Sequence, residues 1–108
     1  PRPQMTRAAD DASLAEVRAE IDRLDRLLVP LIAERGQAVL AAARFKSFAD
    51  VPAPDRVEQV IANVKRLARE HDADERVVEA TWRRMVAAFI EAERTEHIRL
   101  HGPPHAEG

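Results

Sequence analysis

Apolar residues recur at alternating three- and four-residue steps along the first half of the chain, the spacing of one face of a packed helix. The residues in this run are Leu14, Val17, Ile21, Leu24, Leu28, Leu31, Ala38, Ala42 and Phe45. Between Leu31 and Ala38, the position where the spacing requires an apolar residue is occupied by Arg35. Because burying an unpaired guanidinium is costly, Arg35 must form an ion pair, reach solvent along its stem, or face a polar cavity.

Lys46 lies eleven residues after Arg35, with Val39 and Ala42 between them. In one continuous helix this separation is about 1,100° of rotation, so the two cations would share one stripe to within roughly 20°. A second cation on the same apolar stripe favours a binding site over an isolated structural arginine.

The pattern predicts three helices. The first covers residues 14 to about 47, starts with a capping box formed by Ser13 and Glu16, and is expected to bend at Pro30. The second covers residues 54–70, and the third covers residues 75–101, with Asp74 as its expected N-cap.

The third helix carries an apolar stripe that ends in a charge. The stripe consists of Val78, Trp82, Met85, Val86, Phe89 and Ile90, and its next position is Glu93. Glu93 is therefore a second charged residue on an apolar face.

The expected organisation is a disordered N-terminal extension at 1–12, a helical domain at 13–101 and a flexible tail at 102–108. Met5 is a candidate natural start, in which case residues 1–4 are an addition.

Composition narrows the classes of function. The 108 residues carry 17 basic and 19 acidic side chains, and a net charge of −2 argues against a general electrostatic grip on nucleic acid. Without cysteine there is no disulfide and no thiolate chemistry. No apolar run reaches the ~20 residues of a membrane span, so we expect no membrane partner and a cytoplasmic location. His97 and His101 are spaced i, i+4, but a lone pair is a weak metal signature, and we expect no metal.

The predicted lengths favour an assembly of two chains. A first helix of some 34 residues would be about 50 Å long, against a radius of gyration near 13 Å for a domain of this size. Helices of about 26 and 40 Å cannot cover its whole apolar face. We therefore expect an intertwined homodimer in which the two long helices pack together.

Several segments resemble one family. They are Arg-x-x-Ile-Asp-x-Leu-Asp at 18–25, Glu-Arg at 34–35, Ala-Arg-Phe-Lys at 43–46 and Pro-Ala-Pro-Asp-Arg-Val at 52–57. Together they are similar to the all-helical chorismate mutase family, and within it to the isochorismate pyruvate lyase branch. The likeness extends over residues 14–99.

The resemblance implies an intertwined homodimer with two shared active sites, a small-molecule substrate (chorismate or isochorismate) and no cofactor or metal. Arg18 of the partner subunit and Arg35 would clamp substrate carboxylates, a task suited to the bidentate guanidinium. Lys46 would contact the ether oxygen and a carboxylate. Arg18 and Arg35 are separated by about 25 Å along the helix axis, so both cannot reach one small ligand from one chain.

Other positions carried over from the family line the pocket. Arg56 would lie at the ring end, although a first-turn surface arginine is an equal alternative. The apolar residues expected to contact substrate are Val39, Val57, Val86, Phe89 and Ile90.

Two positions depart from the common pattern of the family. Glu93 stands where many members have a glutamine that donates to the ether oxygen, and a carboxyl group can donate only when protonated. Val57 stands where bacterial mutases commonly have a glutamate, and in this it resembles the lyase branch.

The favoured function is therefore the pericyclic rearrangement of chorismate to prephenate, with Lys46, Glu93 and Arg35 as catalytic residues. The first alternative is a lyase that converts isochorismate to salicylate and pyruvate, and an amino analogue of chorismate also stays open as substrate. The second alternative is a non-catalytic helical dimer that acts as an interaction module, which would have no reason to keep Arg35 and Glu93 on apolar faces.

Overall fold

The computed structural model describes residues 13–104 and is helical over most of that range. Helix α1 is Leu14–Ala42, α2 is Pro54–Glu70 and α3 is Glu75–His101. Two short 3-10 turns, Ala43–Phe45 and Phe48–Asp50, connect α1 to α2. The prediction of three helices in an all-helical chain is confirmed.

The expected N-terminal extension at 1–12 lies outside the described residues, and so do residues 105–108 of the expected tail. Within residues 13–104, no helix combines the length and the apolar character that a membrane crossing needs.

The predicted helix ends are largely confirmed. At the start of α1, the Glu16 amide donates to the Ser13 hydroxyl, and the Ser13 amide donates to the Glu16 carboxylate, each at 3.2 Å. The Asp74 carboxylate caps α3 by accepting from the amide of Arg76 at 2.9 Å. These bonds satisfy amides that would otherwise lack a partner in the first turn of a helix.

The end of α1 was predicted wrongly. The helix stops at Ala42, the backbone tightens into the turn Ala43–Phe45, and Lys46 adopts an extended conformation with φ −118° and ψ 148°. Lys46 therefore does not continue the helical stripe of Arg35. The reason is tertiary, because α3 holds both the side chain and the main chain of Lys46 away from a helical path, as described below.

Contacts divide the chain after Arg35 into two units, and each is described by itself. The described part of the first unit is α1 from Leu14 up to Arg35, and eight of its large apolar side chains are 37–62% exposed. These exposed residues are Leu14, Ile21, Leu24, Leu27, Leu28, Val29, Leu31 and Ile32. An apolar face of this extent is unusual on a surface that stays in water.

The second unit begins at Gly36 and holds the core. Here α2 packs along α3, and the turn Ala43–Phe45 also packs on α3. The buried apolar residues are Ala43, Val51, Ile61, Val64 and Ala68. Gly36 is buried where α1 meets the Phe89 ring, and a Cβ atom at residue 36 would lie only 2.8 Å from Phe89 Cε1. The close approach of Gly36 to Phe89 thus depends on the absence of a side chain at residue 36.

An exposed ion-pair network also joins α2 to α3. The Arg83 guanidinium donates to both carboxylate oxygens of Glu58 at 2.9 and 3.0 Å, and to Glu79 at 2.9 Å. Its hydrogen bonds lower the pKa of the Glu58 carboxyl and of the Glu79 carboxyl, and those carboxylates raise the pKa of Arg83.

The network should make a small, pH-dependent contribution to stability. Because both carboxyl groups have lowered pKa values in the fold, their contribution is present above the ordinary carboxyl pKa and is lost as pH falls through the lowered values. We expect Arg83→Gln to lower Tm by about one or two degrees at neutral pH, and by less in acid.

Thermal unfolding at one protein concentration, at neutral and acidic pH, checks this prediction. Arg66→Gln is the matched control, because Arg66 bonds only to Glu70 and Asn63 within its own helix. An equal loss of Tm in both variants, or one independent of pH, would contradict a cross-helix role for Arg83.

Candidate active site

A partly buried ion pair joins the segment after α1 to the middle of α3. The Lys46 ammonium donates to Glu93 Oε2 at 2.9 Å, and the two side chains are 27% and 5% exposed. Glu93 therefore occupies the apolar face on which the sequence placed it, and its charge has a partner. A lysine ammonium has three donors, so this bond leaves two of them for a ligand.

His97 holds the main chain of the same lysine. Its Nε2 atom lies 2.9 Å from the Lys46 carbonyl oxygen, and because a carbonyl only accepts, Nε2 must carry the proton. The Nδ1 atom is buried, and no described residue offers it a hydrogen bond. The ring also packs edge-on against Phe48, with centroids 5.8 Å apart.

From the sequence alone His97 is only half of a weak metal pair, and its contact with Lys46 is not predicted. A usable signal existed, because His97 follows Glu93 by four residues and so continues the face that Glu93 occupies. The rings of His97 and His101 do lie close, with centroids 4.4 Å apart. Across residues 13–104, however, no group of three or more potential metal ligands comes together.

The apolar residues predicted on α3 lie on the face of the ion pair. Val86, Phe89 and Ile90 precede Glu93 by seven, four and three residues, and all three are half-buried. Val39, the predicted contact on α1, is also half-buried. These side chains would give the pair an apolar wall.

The two predicted arginine clamps belong to the first unit. Arg18 is exposed and Arg35 is half-buried on α1. Neither guanidinium forms a salt bridge with any carboxylate in the part of the chain that the structure describes. Both cations are thus free of internal ion pairs, as a residue that receives a ligand carboxylate should be.

The two predicted positions on α2 differ in exposure. Arg56 is exposed, and its guanidinium donates to Gln59 Oε1 at 2.5 Å within the same helix. This is the geometry of the surface arginine that the sequence left as an alternative. Val57 is half-buried in the first turn of α2.

A known family matches most of the chain. Residues 17–94 match the family model described as chorismate mutase type II. The chain belongs to the chorismate mutase type II family. The matched range contains every residue predicted from the resemblance, including Arg18 near its start and Glu93 near its end, whereas His97 lies just beyond it.

Two relatives in the family carry different names. An isochorismate pyruvate lyase from Pseudomonas aeruginosa is 36% identical over 91 residues, which cover 83% of this chain and 89% of the relative. A chorismate mutase from Methanocaldococcus jannaschii is 33% identical over 66 residues, covering 59% of this chain and 67% of the relative. The chain is thus an enzyme of the chorismate mutase family that is similar to both kinds of protein.

Proposed function

We propose that the protein is a homodimeric chorismate mutase that converts chorismate to prephenate. The observation that carries the proposal is the partly buried Lys46–Glu93 pair, in a chain whose residues 17–94 match this family. A lysine and a carboxyl group on an apolar wall are what a reaction needs when negative charge develops on one oxygen atom.

The proposed reaction requires no nucleophile. The protein holds the enolpyruvyl arm of the substrate over the ring in a reactive geometry, and this positioning supplies much of the rate enhancement. Arg35 and Arg18 of the partner subunit bind the two carboxylates. Lys46 then uses a donor that Glu93 leaves free to stabilise the ether oxygen as the carbon–oxygen bond breaks.

Glu93 is proposed to face the same oxygen. In the unliganded chain its carboxylate accepts from Lys46. With a substrate that carries two carboxylates beside it, an ionised Glu93 would add a further negative charge next to the atom that gains charge. A Glu93 that carries a proton in the reactive complex would instead donate a hydrogen bond to this oxygen.

The exposed apolar face of α1 supports the dimer. Eight large apolar side chains between Leu14 and Ile32 are 37–62% exposed in the single chain. A second copy of α1 would cover them with an equivalent face, as two-fold symmetry requires. The same symmetry would supply Arg18 to the site of the neighbouring chain.

A complementation experiment tests whether the sites are shared. Arg18→Ala and Lys46→Ala homodimers should each be nearly inactive. After subunit exchange, half of the dimers are mixed, and each mixed dimer has one site with both residues intact. Activity should therefore return to about a quarter of that of the parent enzyme.

A mixture of Arg18→Ala with Arg35→Ala is the informative control. If Arg18 completes the site of the neighbour, this pair also recovers activity. A homodimer that carries both substitutions in each chain should recover none. No recovery in spite of exchange verified by mass spectrometry would show that Arg18 serves its own chain or no site.

Two observations favour a second candidate activity, the elimination of pyruvate from isochorismate. Val57 is apolar and half-buried where the mutase pattern has a carboxylate for the ring hydroxyl of chorismate, and the lyase relative matches over 89% of its length. Separate incubations with chorismate and isochorismate, with prephenate, salicylate and pyruvate as readouts, distinguish the two. Prephenate from chorismate supports the proposal; salicylate and pyruvate alone would replace it with the lyase activity.

A further inference from the structure

The segment that carries Lys46 has little regular structure to fix it. It follows the turn Ala43–Phe45 and precedes the turn Phe48–Asp50, and Lys46 itself is extended. Outside a helix, its carbonyl oxygen needs a partner from elsewhere in the fold. That partner is His97 Nε2, at 2.9 Å.

Two successive turns of α3 therefore hold the two ends of one residue. Glu93 binds the Lys46 ammonium, and His97, four residues later, binds the Lys46 carbonyl. Both α3 side chains are buried, at 4% and 9% exposure. The His97 ring also contacts Phe48, so it touches the chain on both sides of Ser47.

Packing alone does not account for a histidine at this position. Nδ1 is buried and has no hydrogen-bond partner among residues 13–104, which is an unfavourable state for a polar atom. A phenylalanine ring could make the same edge contact with Phe48 without that penalty. What phenylalanine cannot supply is the N–H donor to the Lys46 carbonyl.

We propose that His97 is a positioning residue of the active site, which fixes the backbone at residues 46–48 so that the Lys46 ammonium points at Glu93 and at the substrate. The inference rests on the proposed function in taking Lys46 as a substrate-binding residue. It adds a residue beyond the range that the family model matches.

The test compares His97→Phe, which keeps a ring and removes the donor, with His97→Gln, whose amide N–H can occupy the place of Nε2–H. We expect His97→Phe to remain folded and to lose about tenfold or more in kcat/KM, mainly in kcat, because misplacing Lys46 affects the transition state more than binding. His97→Gln should stay within about threefold of the parent. His101→Phe is the matched control on the next turn and should leave both constants unchanged.

Amide hydrogen exchange gives a readout that does not depend on turnover. The Asp50 and Val51 amides donate to the carbonyls of Ser47 and Phe48, so their exchange reports opening of this segment. They should exchange faster in His97→Phe than in His97→Gln, with α2 unchanged in both.

Full activity in His97→Phe, or equal losses in the Phe and Gln variants, would overturn the inference while leaving the proposed function intact. Unchanged exchange of Asp50 and Val51 in His97→Phe would also overturn it. A parent enzyme inert toward both chorismate and isochorismate would instead refute the proposed function, and the exchange comparison would then decide alone whether His97 anchors the segment.

Discussion

Arg35→Ala should leave a folded dimer that has lost at least about a hundredfold in kcat/KM, the scale of one charge-assisted bond of roughly 3 kcal/mol. The guanidinium is half-buried on α1 and forms no salt bridge within residues 13–104. Its removal therefore breaks no internal ion pair and relieves a charge on an apolar face. The whole effect should appear in substrate binding and turnover.

Steady-state kinetics with Tm and sedimentation measurements would check this expectation. Arg26→Ala is a suitable control, since Arg26 is an exposed arginine on the same helix and off the apolar face. Arg35→Lys should fall between parent and alanine variant, because lysine keeps the charge but not the two-pronged donor geometry. Retained activity in Arg35→Ala would make Arg35 an ordinary structural arginine.

Glu93→Gln should change the pH dependence of catalysis. We expect kcat/KM of the parent to fall as pH rises, because an ionised Glu93 only accepts and would repel the ether oxygen that gains charge. Glutamine has nearly the same shape and supplies a donor at every pH. The variant should therefore have a flat profile and, at alkaline pH, exceed the parent by about a hundredfold, the effect of one well-placed donor.

The measurement is kcat/KM from about pH 4.5 to 9 for parent and variant. Glu91→Gln serves as control, because Glu91 is an exposed carboxylate on α3 that pairs with Arg94. Superimposable profiles for parent and Glu93→Gln would mean that Glu93 does not contact the reacting oxygen. A loss of activity in Glu93→Gln at all pH values would mean that catalysis needs the negative charge of Glu93, acting through its ion pair with Lys46.

The sequence predicted the elements that local signals determine. The capping residues Ser13 and Asp74 and the bounds of α2 and α3 follow from side-chain chemistry and apolar spacing, and the structure agrees. Glu93 could be proposed as a candidate site residue because its charge interrupts an apolar stripe.

The end of α1 could not be predicted in this way. The alanines around residue 42 are strong helix formers, so nothing local signals a stop. The helix ends because Glu93 and His97, some fifty residues further along the chain, bind Lys46. The proposed role of Arg18 depends on a second copy of the chain, so it was predicted from the family resemblance and not from a local signal.

Gly36 has a consequence for protein engineering. Replacing a mid-helix glycine with alanine usually stabilises a protein by about 0.4–1 kcal/mol, since the unfolded chain loses freedom. At this position the added methyl group would overlap the Phe89 ring. The glycine of α1 thus permits a close contact with Phe89, and a programme that screens for heat resistance by filling in glycines should leave this one alone.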